Sequence, residues 1–131
     1  MRVTGIDHIV ITAADAERAV SFYERALGMR VKRPSRGPVA LHFGSQKIHV
    51  HQAGSEFRPN ARAAAPGTAD ICFTTDVPLA EMRAHLASCG VTLEVEKVIR
   101  EGALGPMASI YFRDPDGNLL EVSNYGEAEG D

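Results

Sequence analysis

Residues 5–28 read GIDHIVITAADAERAVSFYERALG, and residues 68–90 read TADICFTTDVPLAEMRAHLASCG. Both stretches open on a short apolar run with β-branched residues, which predicts a strand. Both continue into apolar residues at helical spacing and stop at a glycine. In the first, Asp15 is the expected N-cap; Ala16, Ala19, Val20, Tyr23 and Leu27 make the stripe, and Gly28 ends it. In the second, Pro78 falls in the opening turn, where its missing N–H costs nothing. Leu79, Met82, Leu86 and Cys89 follow, and Gly90 closes the helix.

Working outward, each helix precedes three more strands. The first set is predicted at 29–33, 38–43 and 46–52, the second at 92–100, 106–112 and 118–124. Gly44-Ser45 and Asp114-Pro115-Asp116-Gly117 carry the turn chemistry between strands. The order βαβββ therefore occurs twice. Asp7 and Asp70 lie 63 residues apart (70 − 7), Gly28 and Gly90 lie 62 apart (90 − 28), and Gly37 and Gly105 lie 68 apart (105 − 37). A nearly constant offset marks an internal repeat. Module one covers about 5–52, the aperiodic stretch 53–67 is a connector, and module two covers about 68–125. The expected fold is α+β: two βαβββ modules in a curled mixed sheet around a cleft, helices outside.

The 131 residues suit a single domain, and 44% hydrophobic with 24% charged residues is ordinary globular composition. Fourteen Lys and Arg against seventeen Asp and Glu give a net charge of −3. That balance lacks the basic face needed to neutralise phosphates, so a nucleic-acid partner is not expected. No apolar run approaches the length of a membrane span. The opening residues lack the apolar stretch of a secretory signal, so the expected compartment is the cytoplasm. Cys72 and Cys89 have no metal-type spacing and read as small buried hydrophobes with free thiols.

The repeat also organises the chemistry. Strand alternation places His8, Val10 and Thr12 on one face of the first strand, and Leu119, Glu121 and Ser123 on one face of the last. Superposing the modules sets His8 against Ile71, and His51 against Glu121. Two imidazoles and one carboxylate with open positions form a site for a divalent metal. His49 shares a face with His51 and is the alternative ligand. His42 and His85 read as surface or supporting residues. Tyr111 and Arg100 are candidate cavity residues, Arg58 and Arg62 candidate anion contacts in the connector. Residues 102–105 read as a flexible lip or a hairpin loop.

Three segments carry a resemblance: Asp7-His8-Ile9-Val10-Ile11, the helix from Ser21-Phe22-Tyr23 through Ala26-Leu27-Gly28-Met29, and the run from Ser109 to Glu121, SIYFRDPDGNLLE. They resemble the glyoxalase/bleomycin-resistance/extradiol-dioxygenase superfamily, the vicinal oxygen chelate proteins, over about 5–125. Within it the chain is most similar to small lactoylglutathione-lyase-like glyoxalase-domain proteins. The resemblance implies a metal in the cleft, on His8, His51 and Glu121, and substrates whose neighbouring oxygens chelate it. It leaves open Ni, Zn, Co, Mn or Fe as the ion, and a thiol cosubstrate such as glutathione. Ile71 falls where glyoxalase I enzymes place a further ligand. The implied activity is a lyase or isomerase on a small oxygenated substrate, with Glu121 also moving a proton. The alternatives are an Fe(II) ring-cleaving dioxygenase and a metal-free drug-binding resistance protein. Exposed sheet edges lead to the expectation of a homodimer.

Overall fold

The computed structural model describes residues 1–128. The described residues divide into two compact units, parted between 68 and 69. Unit one runs β1 (His8–Ala13), α1 (Ala16–Leu27), β2 (Arg30–Lys32), β3 (Val39–Phe43) and β4 (Gln46–Gln52). Unit two runs β5 (Asp70–Thr74), α2 (Leu79–Ser88), β6 (Val95–Gly102), β7 (Gly105–Arg113) and β8 (Leu119–Asn124), then a 3-10 turn at Tyr125–Glu127. Each is the expected βαβββ module, built as a four-stranded mixed sheet in the orders β1-β4-β3-β2 and β5-β8-β7-β6. The first and last strands of each unit pair in parallel, and the remaining pairs are antiparallel.

Burial follows the alternation read from the sequence. In unit one, Ile11, Leu41, Ile48 and Val50 are buried on one sheet face, with Ala19, Val20, Phe22, Tyr23 and Ala26 of α1. In unit two, Ile110, Phe112, Leu120 and Val122 are buried, with Leu79, Met82 and Leu86 of α2. Full burial of one such side chain stabilises by about 1.5–3 kcal/mol. The other face of each sheet carries the buried polar side chains, Thr12 and His51 in unit one and Ser109, Glu121 and Ser123 in unit two.

The helix ends differ. Asp15 caps α1, accepting from the Arg18 amide at 3.2 Å, and Gly28 takes the left-handed conformation (φ 66°) that ends it. Pro78 is itself the N-cap of α2 and offers no side-chain hydrogen bond. Instead the Glu127 carboxylate, 48 positions on, accepts from the Leu79 amide at 2.7 Å. The cysteines depart from expectation: Cys72 is exposed and Cys89 half-buried, because Cys72 lies on the polar face of β5 and Cys89 caps α2.

Candidate metal centre

The polar face of the first sheet is a field of histidines. Parallel pairing sets His8 opposite Lys47, Val10 opposite His49 and Thr12 opposite His51. Antiparallel pairing sets His42 opposite Lys47 and Ala40 opposite His49. Ile48 and Val50 point to the helix, so Lys47, His49 and His51 point away from it. The face thus presents His8, His42, His49 and His51.

His8 and His49 are neighbours: their rings stack with centroids 4.5 Å apart at 22°. His8 Nδ1 donates to the Asp7 carboxylate at 2.8 Å, which presents Nε2 as the free ligand nitrogen. The bond to His8 in turn holds the Asp7 carboxyl below its ordinary range. Burial, followed by the charge of Lys47, pushes the His49 imidazole below its usual range. Its neutral, metal-binding form therefore persists in mild acid.

His51 sits one pleat further along β4. Its partner Thr12 is four residues from His8, about 13 Å along the strand. Its ring is 5.6 Å from the Phe57 ring; the residue is only 4% exposed, and its buried Nδ1 has no hydrogen-bond partner. The structure thus brings His8 to His49, and leaves His51 two residues beyond His49 on the same face, away from His8.

The register also corrects the matching of the two modules. Asp70 opens β5 as His8 opens β1, at the offset of 62 given by Gly28 and Gly90 (70 − 8 and 90 − 28). Ile71 pairs with buried Leu120, on the helix-facing side. It does not occupy a vacant ligand position; Asp70 and Cys72 share the face of Glu121. Counting from the paired first strands, His8 lies opposite Lys47 and Asp70 opposite Leu119. Two residues on, His49 holds in β4 the place that Glu121 holds in β8.

Glu121 lies opposite Cys72 on one side and Tyr111 on the other. Its residue is 9% exposed, and its carboxylate accepts from Ser123 Oγ at 3.3 Å. Ser123 Oγ is also 2.6 Å from Ser109 Oγ and 3.2 Å from Cys72 Sγ. Partial desolvation pushes the Cys72 thiol up, opposed by the Ser123 bond. Burial raises the Tyr111 phenol, with Arg100 opposing and Glu121 adding to the rise. These groups form one polar strip across β5, β8 and β7. Sequence reading missed Asp7 as the partner of His8 and Cys72 as a neighbour of Glu121. The Asp7-His8 dipeptide was the available signal for the first, and correct β5 parity for the second.

Among the described residues no three His, Cys, Asp or Glu side chains gather into a group that holds an ion. The donor chemistry of the first sheet nevertheless fits a divalent metal, since one imidazole is oriented by a carboxylate, burial favours the neutral form of another, and His51 keeps an unpartnered buried nitrogen. His85 lies on α2, and its ring is 3.7 Å from Cys89 Sγ, away from either strip.

Comparison with known proteins agrees with this architecture. The chain is 45% identical over 129 residues to the glyoxalase domain-containing protein RDO1 of Mycosarcoma maydis, covering 98% of this chain and 73% of that protein. It is 42% identical over 125 residues to the virulence protein STM3117 of Salmonella typhimurium, covering 95% of this chain and 87% of that protein. The crystal structure of STM3117 superposes with a TM-score of 0.93 over 95% of this chain and 99% of that one. A lactoylglutathione lyase from Agrobacterium tumefaciens shares the fold at 23% identity and a TM-score of 0.71, covering 95% of this chain and 96% of that one. Residues 5–122 match the model of the Glyoxalase/Bleomycin resistance protein/Dioxygenase superfamily, and the chain belongs to that superfamily.

Proposed function

We propose that this chain is a divalent-metal-dependent enzyme, a glyoxalase-like lyase or isomerase acting on a small substrate with adjacent oxygen atoms. The observation that carries the reading is the stacked pair of His8 and His49 with the Asp7 carboxylate behind His8. We assign His8 and His49 as the histidine ligands. The superfamily resemblance supplies Glu121 as the carboxylate ligand. His51, the other histidine ligand expected from the sequence, is the alternative to His49.

A divalent ion held by these residues would supply Lewis-acid polarisation of a substrate oxygen. The residues do the rest. Asp7 fixes the ring of His8, so the ligand nitrogen is set before substrate arrives. An isomerisation of this class moves a proton between adjacent carbons. Glu121 is the group assigned to take and return it, with Ser123 Oγ and Tyr111 beside its carboxylate.

The same reading makes the chain a cytoplasmic homodimer. Among the described residues no helix is long and apolar enough to cross a membrane. In each sheet the two outermost strands are paired on one side only, β1 and β2 in one, β5 and β6 in the other, which favours a covering partner. Sedimentation at micromolar concentration gives the dimer mass; a monomer throughout removes that part of the proposal.

The deciding experiment is elemental analysis of protein purified without added metal, followed by turnover before and after chelation. Ni, Zn, Co or Mn with isomerisation of a methylglyoxal–thiol adduct, lost on chelation and restored by metal, is the expected result. Iron with oxygen uptake replaces this reading by ring cleavage. Absence of any bound or bindable metal replaces it by metal-free ligand binding.

A further inference from the structure

We infer that Arg100, held by Tyr111, is a specificity-determining residue that selects ligands bearing a carboxylate group. The inference deepens the enzyme reading above, since it names the substrate class, but it concerns binding and is tested without turnover.

Strand β6 carries the first observation. Val95 lies opposite Tyr111, while Val98 lies opposite Ser109, so one extra residue is inserted between them. Without that bulge, Ile99 would pair with Met107 and share the face of Ser109, Tyr111 and Glu121. With it, Arg100 pairs with Met107 and takes that face, while Ile99 turns away and is left 46% exposed. Arg100 is itself exposed, so the bulge sets an accessible charge, rather than an isoleucine, on the face of Ser109, Tyr111 and Glu121. Bulges recur where a strand re-aims a side chain at a site.

The second observation is how Arg100 is held. Its Nε donates to Tyr111 Oη at 3.1 Å, and its guanidinium carbon lies 5.6 Å from the Tyr111 ring centre. Among the described residues, no carboxylate pairs with it. Anchoring through Nε leaves the two terminal nitrogens as a fork, and a planar carboxylate matches that fork. The hairpin behind it is fixed as well. Gly102 and Gly105 close a two-residue turn, and Tyr125 Oη accepts from the Leu104 amide at 3.1 Å. A side chain at position 102 would collide with that same tyrosine. Residues 102–105 are therefore a pinned hairpin turn.

The cationic donors left free on this face suit a single carboxylate, even with Asp70 and Glu121 on the same face. Arg113, the other arginine there, is engaged by the Glu94 carboxylate at 2.8 and 3.3 Å and by the Gly117 carbonyl at 3.1 Å. One unpaired guanidinium answers one carboxylate; a phosphonate dianion would need a second cation.

Amide and arginine Nε–H NMR titrations test this, with pyruvate, its neutral isostere diacetyl, and methylphosphonate added to the protein as purified and after chelation. Pyruvate is expected to shift the Arg100 Nε–H and the Tyr111 amide in both preparations, and diacetyl to leave them in place. Arg100→Gln is expected to weaken pyruvate binding roughly tenfold or more, and Arg100→Lys less, because lysine keeps the charge and loses the fork. Unchanged spectra elsewhere show that both variants are folded. Equal pyruvate binding by Arg100→Gln, equal binding of diacetyl, preference for methylphosphonate, or no pyruvate shift in the wild type each overturns the inference. A protein that binds no metal yet keeps the Arg100-dependent shift defeats the enzyme reading alone. A metal-loaded, active protein whose pyruvate binding ignores Arg100 defeats the inference alone.

Discussion

The two units share one βαβββ plan and one burial rule, yet their polar faces carry different chemistry. The first presents four histidines with Lys47, and Asp7 behind one imidazole. The second presents Glu121 joined to Ser123, Ser109 and Cys72, with Tyr111 and Arg100 at its side. The helix-facing residues are interchangeable in kind: Ile48 and Val50 in β4, Leu120 and Val122 in β8. A duplicated scaffold thus conserves the parity of each strand, because one slipped residue would exchange core and polar faces. Within that parity the outward positions can diverge, so one unit presents imidazole nitrogens and the other carboxylate and hydroxyl oxygens with a thiol. Even the helix caps diverge: Asp15 works from the adjacent residue, Glu127 from far along the chain.

The comparison can be broken most severely at the histidines. His8→Ala and His49→Ala should each weaken metal binding by more than the roughly 10–100-fold typical of removing an outer partner. Competition with a chromophoric chelator reads this directly. His51→Ala should retain the metal; its loss there instead of at His49 would return the assignment to the pair first read from the sequence.

Next in size is the polar strip of the second unit. Ser109 and Ser123 are both fully buried. Ser123→Ala strands the Ser109 hydroxyl and removes a donor from Glu121, so urea unfolding should show a loss of about 1–3 kcal/mol. The first sheet has no buried serine pair, and Thr12→Val there should cost less. Asp7→Asn is smaller still. Its carboxylate is largely exposed, so metal affinity should fall by about tenfold, the low end for such partners.

The smallest effect is electrostatic. Desolvation first, and then neighbouring cations including Lys47, hold both His42 and His49 below the usual imidazole range. The native state thus binds fewer protons than the unfolded chain as pH falls through about 6.5. Stability is therefore expected to fall on acidification through that window. NMR titration of Lys47→Gln should move both imidazoles upward together, and flatten the acid loss measured by urea midpoints. If neither moves, the cationic share of the shift is wrong.

Much of this was legible in the chain because it is local. The alternation of GIDHIVIT, the stripe and caps of α1, and the Asp114–Gly117 turn each need only near neighbours. Repetition at offsets near 63 extended those local signals to two modules. The same parity places His8 and Glu121 on the polar faces, with His49 as a rival to His51. What the sequence could not yield was register. Whether His49 or His51 meets His8, and whether Ile71 or Cys72 meets Glu121, turns on a one-residue or two-residue slide between strands some 40 to 50 positions apart. Short apolar strands accept several slides equally well in composition. Only packing of Ile48, Val50, Leu120 and Val122 against their helices selects one. The bulge that turns Arg100 onto the polar face is the same kind of fact. An extra residue in β6 leaves no mark on a hydrophobic pattern, and the pairing with β7 alone decides where it goes.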